Sequence, residues 1–284
     1  MEHARSALAA RLSVRPLHRI AGGGYTLMEH WLVEREEGTR AFAKVAVDEP
    51  TAGFLRDEHR VYSQLDCAFA PEFLGWDDDG DRPILLLEDL TGAHWPPPWR
   101  PGDVELVREA LAELHSMSPP SGLHQLVAGD LHTWREVESD PGPFLGLGLC
   151  TAEWLEQALP ELVGAADRCD VGGEAFLHLD VRSDNICIAD GQAKLVDWNW
   201  ASVGNPMVDV AFWIPSLFME GGPSPAEVLP EAGELTVVVS GFFAPLAGLP
   251  PPPGAPAVRP LQLAQLKVAL PWAVDVLGLP PLDR

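Results

Sequence analysis

Residues 176–213 read FLHLDVRSDNICIADGQAKLVDWNWASVGNPMVDVAFW, and this segment is the most informative about the fold. Three of its aspartates stand in different local settings. Asp180 opens a polar loop that ends at Asn185. Asp197 comes at the end of a predicted hairpin, and Asp209 follows a Gly-Asn-Pro break at the start of an apolar helical segment. The stretch therefore offers a loop, a hairpin and a helix start, each marked by one carboxylate.

The hairpin is predicted from two short apolar runs, residues 186–189 and 193–196, which flank Asp190-Gly191. An Asp-Gly pair between two such runs is a strong hairpin signal, because both residues readily adopt positive φ angles.

Phosphoryl transfer is the chemistry that suits these residues. The transferred group needs its charge neutralised and its acceptor hydroxyl held in line by a carboxylate. Mg²⁺ takes hard oxygen ligands and keeps several waters, so one carboxylate and one amide oxygen suffice beside the phosphates. We therefore expect Asp180 to face the acceptor, and Asn185 and Asp197 to bind Mg²⁺. The structural alternative is that isolated aspartates merely cap loops; the order of the three elements favours catalysis.

The stretch resembles the catalytic loop and metal-binding aspartate of the protein-kinase-like superfamily, where His-x-Asp-x-x-x-x-Asn precedes a hairpin that ends in Asp. It is more similar to the aminoglycoside phosphotransferase branch of small-molecule kinases. In that branch the metal aspartate is followed by Trp or Phe, as in Asp197-Trp198 here. The branch also carries Gly-Asp/Asn-Pro-x-x-Asp, which residues 204–209 match. The resemblance implies that Asp209 is structural and braces the catalytic loop through hydrogen bonds to its backbone.

The resemblance also implies a two-lobed α+β protein-kinase-like fold. Residues 1–89 would form a small N-lobe with an antiparallel sheet, one helix and the nucleotide site. Residues 90–284 would form a larger, mostly helical C-lobe with the catalytic loop, the metal site and the acceptor pocket. Residues 118–150 and 214–284 are matched by element order alone.

Gly22, Gly23 and Gly24 mark a candidate phosphate-binding turn between two strand-like stretches. Glycine lets backbone N–H groups approach phosphate oxygens closely. Three glycines also make an ordinary hairpin turn, and that alternative stays open.

Lys44 lies in an otherwise apolar strand, where burying an unpaired ammonium would be costly. The next segment, residues 51–65, has apolar residues at helical spacing with Glu58 between them. The two residues resemble the Lys–Glu ion pair of the superfamily, in which the lysine reaches the α- and β-phosphates. Asp57 is a rival partner, and a solvated edge-strand lysine is the structural alternative.

Glu88 and Leu90 follow the last predicted N-lobe strand, where the family's hinge presents backbone groups to the nucleobase. Backbone atoms do this work, so both ATP and GTP stay open as donors. The preceding acidic run, residues 77–81, is predicted to be a solvated hairpin tip. It lacks the continuing ligand pattern and the flanking helices of a calcium-binding loop.

The composition limits the partners of this protein. The 284-residue chain has a formal net charge of −23, which repels phosphates and argues against nucleic acid as a partner. The charge favours cationic small molecules, although it also serves solubility. The four cysteines show no metal-ligand spacing, and no apolar segment is long enough to span a bilayer. We expect a cytoplasmic protein with reduced thiols and no membrane partner; the oligomeric state stays open.

The resemblance implies transfer of the γ-phosphate of ATP or GTP to a hydroxyl of a small molecule. An antibiotic of the aminoglycoside, nucleoside or macrolide type is the favoured acceptor, and its inactivation would give resistance. A metabolic kinase for choline, a sugar or an amino alcohol is the alternative, and a nucleotide-binding pseudokinase is a third. Asp180 would accept the hydroxyl proton. Arg182 departs from the usual pattern and is a candidate catalytic residue: it would pair with the transferring phosphate or with Asp180.

Two further expectations concern side chains around the predicted site. His115 ends a predicted helix over residues 104–117 and is interpreted as structural. Tryptophan faces near the cleft are expected to stack on a ring-bearing acceptor. The four tryptophans concerned are Trp95, Trp99, Trp198 and Trp200.

Overall fold

A computed structural model of the chain describes residues 2–20, 27–253 and 255–283. The strands, in chain order, are β1 (Arg15–Ile20), β2 (Glu29–Glu34), β3 (Arg40–Val45), β4 (Phe73–Asp77), β5 (Ile84–Glu88), β6 (His124–Gln125), β7 (Ala175–Leu177), β8 (Ile186–Ala189), β9 (Gln192–Leu195) and β10 (Ser202–Gly204). The α-helices are α1 (Glu2–Leu12), α2 (Glu49–Tyr62), α3 (Asp103–Ser116), α4 (Trp134–Ser139), α5 (Gly142–Leu145), α6 (Ala152–Arg168), α7 (Met207–Met219), α8 (Pro225–Val228), α9 (Leu235–Ala247) and α10 (Val258–Leu277).

The chain forms two compact units. The first comprises Met1–Leu114, Pro120–Gly122 and Ser183–Ala201, and the second comprises the remaining residues. An antiparallel sheet dominates the N-terminal part and helices dominate the C-terminal part. The predicted α+β class is therefore confirmed, whereas the lobe boundary after residue 89 stays a prediction.

The main sheet of the first unit has the strand order β1-β2-β3-β5-β4, with every neighbouring pair antiparallel. Side chains alternate between its two faces. One face carries Trp31, Val33, Ala43 and Val45, which form a buried core together with Leu8 of α1. The alternate residues of β2 and β3 point to the opposite face. The alternation explains how Lys44 can sit in an apolar strand without entering this core.

Helix α2 begins two residues before the predicted start, because Asp48 caps it. The Asp48 carboxylate accepts a hydrogen bond from the Thr51 backbone N–H at 3.0 Å, and the Thr51 hydroxyl accepts one from the Asp48 N–H at 3.1 Å. This reciprocal capping satisfies N–H groups that the first turn leaves unpaired.

The acidic turn between β4 and β5 is an exposed hairpin tip, as predicted, and residues 78–81 are all exposed. Asp77 and Asp79 both form ion pairs with Arg11 of α1. Asp78 accepts two hydrogen bonds from Arg56 of α2, at 2.8 and 3.1 Å. Both arginines come from helices distant in sequence, so the local pattern of acids contained no sign of them.

The predicted hairpin of β8 and β9 is confirmed. The two strands pair from Ile186↔Leu195 to Ala189↔Gln192. Asp190 and Gly191 connect them with φ angles of 51° and 77°. Positive φ at both central residues is the geometry of the two-residue turn whose twist matches that of the strands.

The second unit is built mainly from helices, among which α9 contacts α4, α5, α6, α7 and α10. Gly241 of α9 lies against Trp134, where an added Cβ atom would approach the indole to 2.8 Å. The Trp134 indole N–H also donates to the Ser240 hydroxyl at 3.2 Å. Within the described residues, no helix has both the length and the apolar character needed to cross a bilayer.

Candidate active site

Lys44 lies at the centre of a buried ion cluster in the first unit. Its ammonium is 2.7 and 2.8 Å from the two carboxylate oxygens of Glu58, and it also contacts the Asp197 carboxylate. Lys44 is only 5% exposed and Glu58 only 1%. The predicted Lys44–Glu58 ion pair is therefore present. The rival partner Asp57 instead pairs with Arg60.

The electrostatics of this cluster keep Lys44 charged. Burial disfavours the ammonium, but the carboxylates of Asp197 and Glu58 outweigh it and raise the pKa of Lys44. Burial also disfavours the charged form of Glu58 and so raises the pKa of that carboxyl group, and the positive charge of Lys44 opposes this increase. Removing charges from water in this way costs several kcal/mol per ion unless partners compensate.

Asn185 and Asp197 lie at the same open end of the β8–β9 hairpin. The Val196 N–H, directly before Asp197, donates to the Asn185 carbonyl at 2.9 Å. Asn185 is 2% exposed. Asp197 adopts a left-handed conformation with φ 66° and ψ 63°. A non-glycine residue pays a conformational cost there, and such strain is concentrated at functional sites.

These two residues fit a magnesium ion in donor chemistry. Asn185 offers an amide oxygen and Asp197 a carboxylate, both hard ligands of the kind Mg²⁺ prefers. Among the described residues, no three His, Cys, Asp or Glu side chains come together as a metal site of their own. A metal here would thus depend on oxygen ligands from a bound phosphate and from water.

Glu88 and Leu90, the predicted hinge residues, contact side chains that sequence reasoning did not identify. Glu88 donates its backbone N–H to the Glu72 carbonyl at 2.9 Å. Its carboxylate accepts a hydrogen bond at 2.7 Å from Lys194 of β9. The Leu90 carbonyl accepts the indole N–H of Trp95 at 3.1 Å. The Glu88 side chain is therefore engaged within the protein, so any contact with a base would fall to the backbone.

Only part of the predicted aromatic surface is accessible. Trp198 is fully buried and donates its indole N–H to the Leu195 carbonyl at 3.0 Å, so its expected role in stacking on a ligand was wrong. Trp200 is 54% exposed and lies beside Phe54, and Trp95 is 37% exposed. Trp99 is half-buried. Burial of this kind depends on tertiary packing, which sequence order does not report.

The predicted phosphate-binding glycines, Gly22, Gly23 and Gly24, lie outside the described residues.

His30 of strand β2 is a residue that sequence reasoning did not identify. It pairs directly with Lys44 across the β2–β3 ladder. Its ring lies 5.3 Å from the Phe42 ring. Burial and the charge of Lys44 lower the pKa of His30 to about 4, although Asp197 opposes the shift, so its imidazole is neutral at pH 7.

Asp180 and Arg182, the two predicted catalytic residues, lie in the second unit. Asp180 and Arg182 form an ion pair, with 3.2 Å between the Arg182 Nε and the Asp180 Oδ1. The two side chains are 25% and 18% exposed, respectively. Leu179, directly before Asp180, has a φ of 62°. This left-handed conformation is a second strained non-glycine position next to a predicted functional aspartate.

Asp209 braces this loop, as predicted. One carboxylate oxygen accepts the His178 N–H at 3.0 Å and the other accepts the Leu179 N–H at 2.7 Å. His115 contacts the same carboxylate through Nε2 at 3.0 Å, which confirms a structural position for it. Asp209 is fully buried and thereby orders the backbone immediately before Asp180.

Comparison with known proteins agrees with this geometry. The sequence model of the phosphotransferase enzyme family (APH) matches residues 19–244. No curated protein matches the chain. Among solved structures, a choline/ethanolamine kinase family protein from Mesorhizobium loti is 15% identical with a TM-score of 0.61, covering 98% of this chain and 97% of that chain.

Two further solved phosphotransferases also share the fold. A macrolide 2'-phosphotransferase from Brachybacterium faecium is 15% identical with a TM-score of 0.55, covering 100% of this chain and 99% of that chain. An amicoumacin kinase in complex with AMP-PNP, Ca²⁺ and Ami is 11% identical with a TM-score of 0.50, covering 94% and 92%. At these identities the likeness concerns the fold, whereas the family match extends over most of the sequence. The chain therefore belongs to the phosphotransferase enzyme family.

Proposed function

We propose that this enzyme transfers the γ-phosphoryl group of ATP to a hydroxyl of a small molecule. The observation that carries the proposal is the buried contact of Lys44 with both Glu58 and Asp197. Packed hydrophobic residues would serve stability as well as a buried ion cluster does, or better. Strongly perturbed, mutually interacting charges are instead typical of functional sites.

The donor side of the reaction is assigned to the first unit. Lys44 would bind the α- and β-phosphates, with Glu58 holding its ammonium in position. The backbone of Glu88 and Leu90 would contact the base. Mg²⁺, held by Asn185 and Asp197, would neutralise charge on the phosphates. The AMP-PNP bound to the amicoumacin kinase supports ATP as the phosphoryl donor. GTP is the alternative donor, and the assay described below tests both.

The acceptor side is assigned to the catalytic loop. Asp180 would orient the acceptor hydroxyl and take its proton as the hydroxyl oxygen attacks the γ-phosphorus. The bond from that phosphorus to the β-bridging oxygen breaks, and ADP leaves. Arg182 holds the Asp180 carboxylate through their ion pair, and Asp209 holds the backbone before it. A preorganised carboxylate of this kind contributes roughly 10²–10⁴-fold to the rate.

The acceptor is proposed to be an amine-bearing antibiotic. Over the whole chain, 42 acidic residues outnumber 19 basic ones, which favours a cationic ligand through long-range attraction. Such an acceptor would make the enzyme a cytoplasmic resistance factor. The likeness to a choline/ethanolamine kinase family protein supports a second candidate, a metabolic kinase for a small amino alcohol. Both candidates share a hydroxyl beside a positively charged nitrogen.

A phosphate-transfer assay tests the proposal. Purified protein is incubated with ATP or GTP, with Mg²⁺ or EDTA, and with panels of aminoglycosides, macrolides, nucleoside antibiotics, choline and ethanolamine. We expect acceptor-dependent ADP release with Mg²⁺, and about 10²–10⁴-fold lower turnover in Asp180→Asn with nucleotide binding retained. Turnover of choline or ethanolamine alone would select the metabolic alternative. A fully active Asp180→Asn variant would refute the assigned base.

A further inference from the structure

The face of the main sheet that carries Lys44 also carries His30. The two residues stand directly opposite each other in the β2–β3 register. Side chains of directly opposed residues point to the same face of a sheet, with their Cβ atoms about 4.5–5.5 Å apart. His30 therefore lies beside the lysine that is assigned to the donor phosphates.

The adjacent residues show that His30 is not part of the core on the other face. Its neighbour Trp31 is 5% exposed and belongs to the buried cluster that packs against α1. The His30 ring instead lies near Phe42, which precedes Lys44 by two residues and so shares its face. The ring centroids are 5.3 Å apart with an interplanar angle of 35°. Phe42 thus supports the ring from one side.

The polar atoms of the His30 ring distinguish it from an ordinary packed histidine. Among the hydrogen bonds of the described residues none involves this ring, although the side chain is half-buried. A buried polar group normally has a partner. The neutral imidazole retains one N–H donor. The His30 ring is thus a hydrogen-bond donor that lies next to the positively charged Lys44.

We propose that His30 is a donor-binding residue, whose imidazole N–H donates a hydrogen bond to the phosphate chain of the bound nucleotide beside Lys44. This inference rests on the proposed function and deepens it. A neutral donor strengthens phosphate binding without placing a second positive charge next to the Lys44 ammonium, where like charges would repel each other. Hydrogen bonds to charged acceptors are stronger than those between neutral groups.

Nucleotide-dependent binding measurements test the role of His30. Calorimetry would determine the dissociation constants of adenosine, ADP and ATP, with Mg²⁺, for the wild type, His30→Phe and His30→Gln. The Phe variant keeps a ring against Phe42 but removes the donor, and the Gln variant keeps an N–H donor. We expect His30→Phe to weaken ATP and ADP binding about tenfold or more, with adenosine binding within about twofold of the wild type. His30→Gln should recover part of the loss.

A matched control comes from His59 of α2. Its ring stacks on Trp76 of β4, with centroids 4.2 Å apart, at the opposite edge of the sheet from β2. His59→Phe should leave all three dissociation constants unchanged. In steady-state assays His30→Phe should raise the KM for ATP, while the KM for the acceptor stays the same.

Three outcomes would overturn the inference. Equal weakening of adenosine and ATP would mean that the ring only packs. Unchanged ATP binding in His30→Phe would mean that there is no contact with the phosphates. Wild-type protein that binds none of adenosine, ADP and ATP, and also no GTP when GTP is titrated in the same way, would refute the donor assignment under the proposed function and this inference with it. Melting curves of each variant verify that the fold is intact.

Discussion

Two ion clusters of the first unit differ in burial, and buried and exposed charges contribute differently to the free energy of unfolding. In the cluster formed by Lys44, Glu58 and Asp197, the lysine and glutamate are almost completely buried. In the cluster around the acidic turn, Arg56 meets Asp78 at the surface. Exposed ion pairs are screened by water and salt and contribute little. Buried ones carry a large desolvation penalty, so their presence calls for a reason other than stability.

The largest expected effect comes from breaking the buried cluster at Lys44. Lys44→Met leaves the Glu58 carboxylate buried without its partner, and we expect a loss of about 3–5 kcal/mol in the free energy of unfolding. The double variant Lys44→Met/Glu58→Met should recover most of that stability, since no buried charge is then orphaned. Both variants should lack phosphotransferase activity. Urea denaturation and ADP release would measure the two effects, and a double variant as unstable as the single one would contradict this account.

Asp209 is also a buried carboxylate, but its partners include backbone N–H donors. Asp209→Ala removes the acceptor of the His178 and Leu179 N–H groups. We expect a cost of about 1–3 kcal/mol for each donor left unpaired, seen as a lower melting temperature. Asp209→Asn, which keeps one carbonyl oxygen, should lose less. An Asp209→Ala variant that is inactive yet melts like the wild type would assign this residue to catalysis instead.

A pH effect is expected from His30, which lies next to the buried cluster. Its folded-state pKa is lowered to about 4 by burial and by Lys44, while Asp197 raises it and Arg19 lowers it slightly. Below about pH 6.5 the His30 side chain binds a proton in the unfolded chain, whereas in the folded chain it does so only near pH 4. The free energy of unfolding therefore falls as the pH drops from about 6.5 towards 4. Above about pH 6.5 this histidine is neutral in both states and does not change the stability.

Replacing His30 should remove the pH effect. Between pH 7.5 and pH 5, the wild type should lose about 2 kcal/mol more stability than His30→Phe, as measured by urea denaturation at both pH values. Other groups titrate in the same interval, so only the difference between the two proteins is informative. Parallel pH profiles would show that the histidine is solvated in the folded protein.

The smallest effect is expected at the exposed cluster. Arg56→Gln removes the hydrogen bonds to Asp78 and to the Gly80 carbonyl. We expect a change in melting temperature within about 2 °C, shrinking further at 1 M salt, and unchanged phosphotransferase activity. A loss of activity comparable to that of Lys44→Met would abolish the distinction between the two clusters.

Local sequence patterns predicted the elements of the candidate site well. Asp190-Gly191 sufficed to predict the β8–β9 hairpin, because its turn depends on the φ angles of two adjacent residues. The pairing of Lys44 with Glu58 and the bracing role of Asp209 came from the family resemblance, and the described contacts agree with both. The catalytic, metal-binding and nucleotide-binding roles stay proposals.

Other features depended on residues far apart in the chain. Arg11 meets Asp77 and Asp79 only because α1 packs near β4, and Lys194 reaches Glu88 only in the folded first unit. Nothing in the acidic run itself distinguishes a paired carboxylate from a solvated one. The exposed hairpin tip was therefore predicted, whereas its ion pairs with Arg11 and Arg56 were not.

The positions of the turns and the family membership follow from the amino-acid sequence, because they depend on neighbouring residues and on motif order. Which side chains are buried, and which face each other, depends on the tertiary structure. It buried Trp198 and left Trp200 exposed, although both belong to one short segment. It placed His30 opposite Lys44, because strand register brings together residues that the sequence separates. Burial and register arise from packing between distant segments, and local composition contains no measure of either.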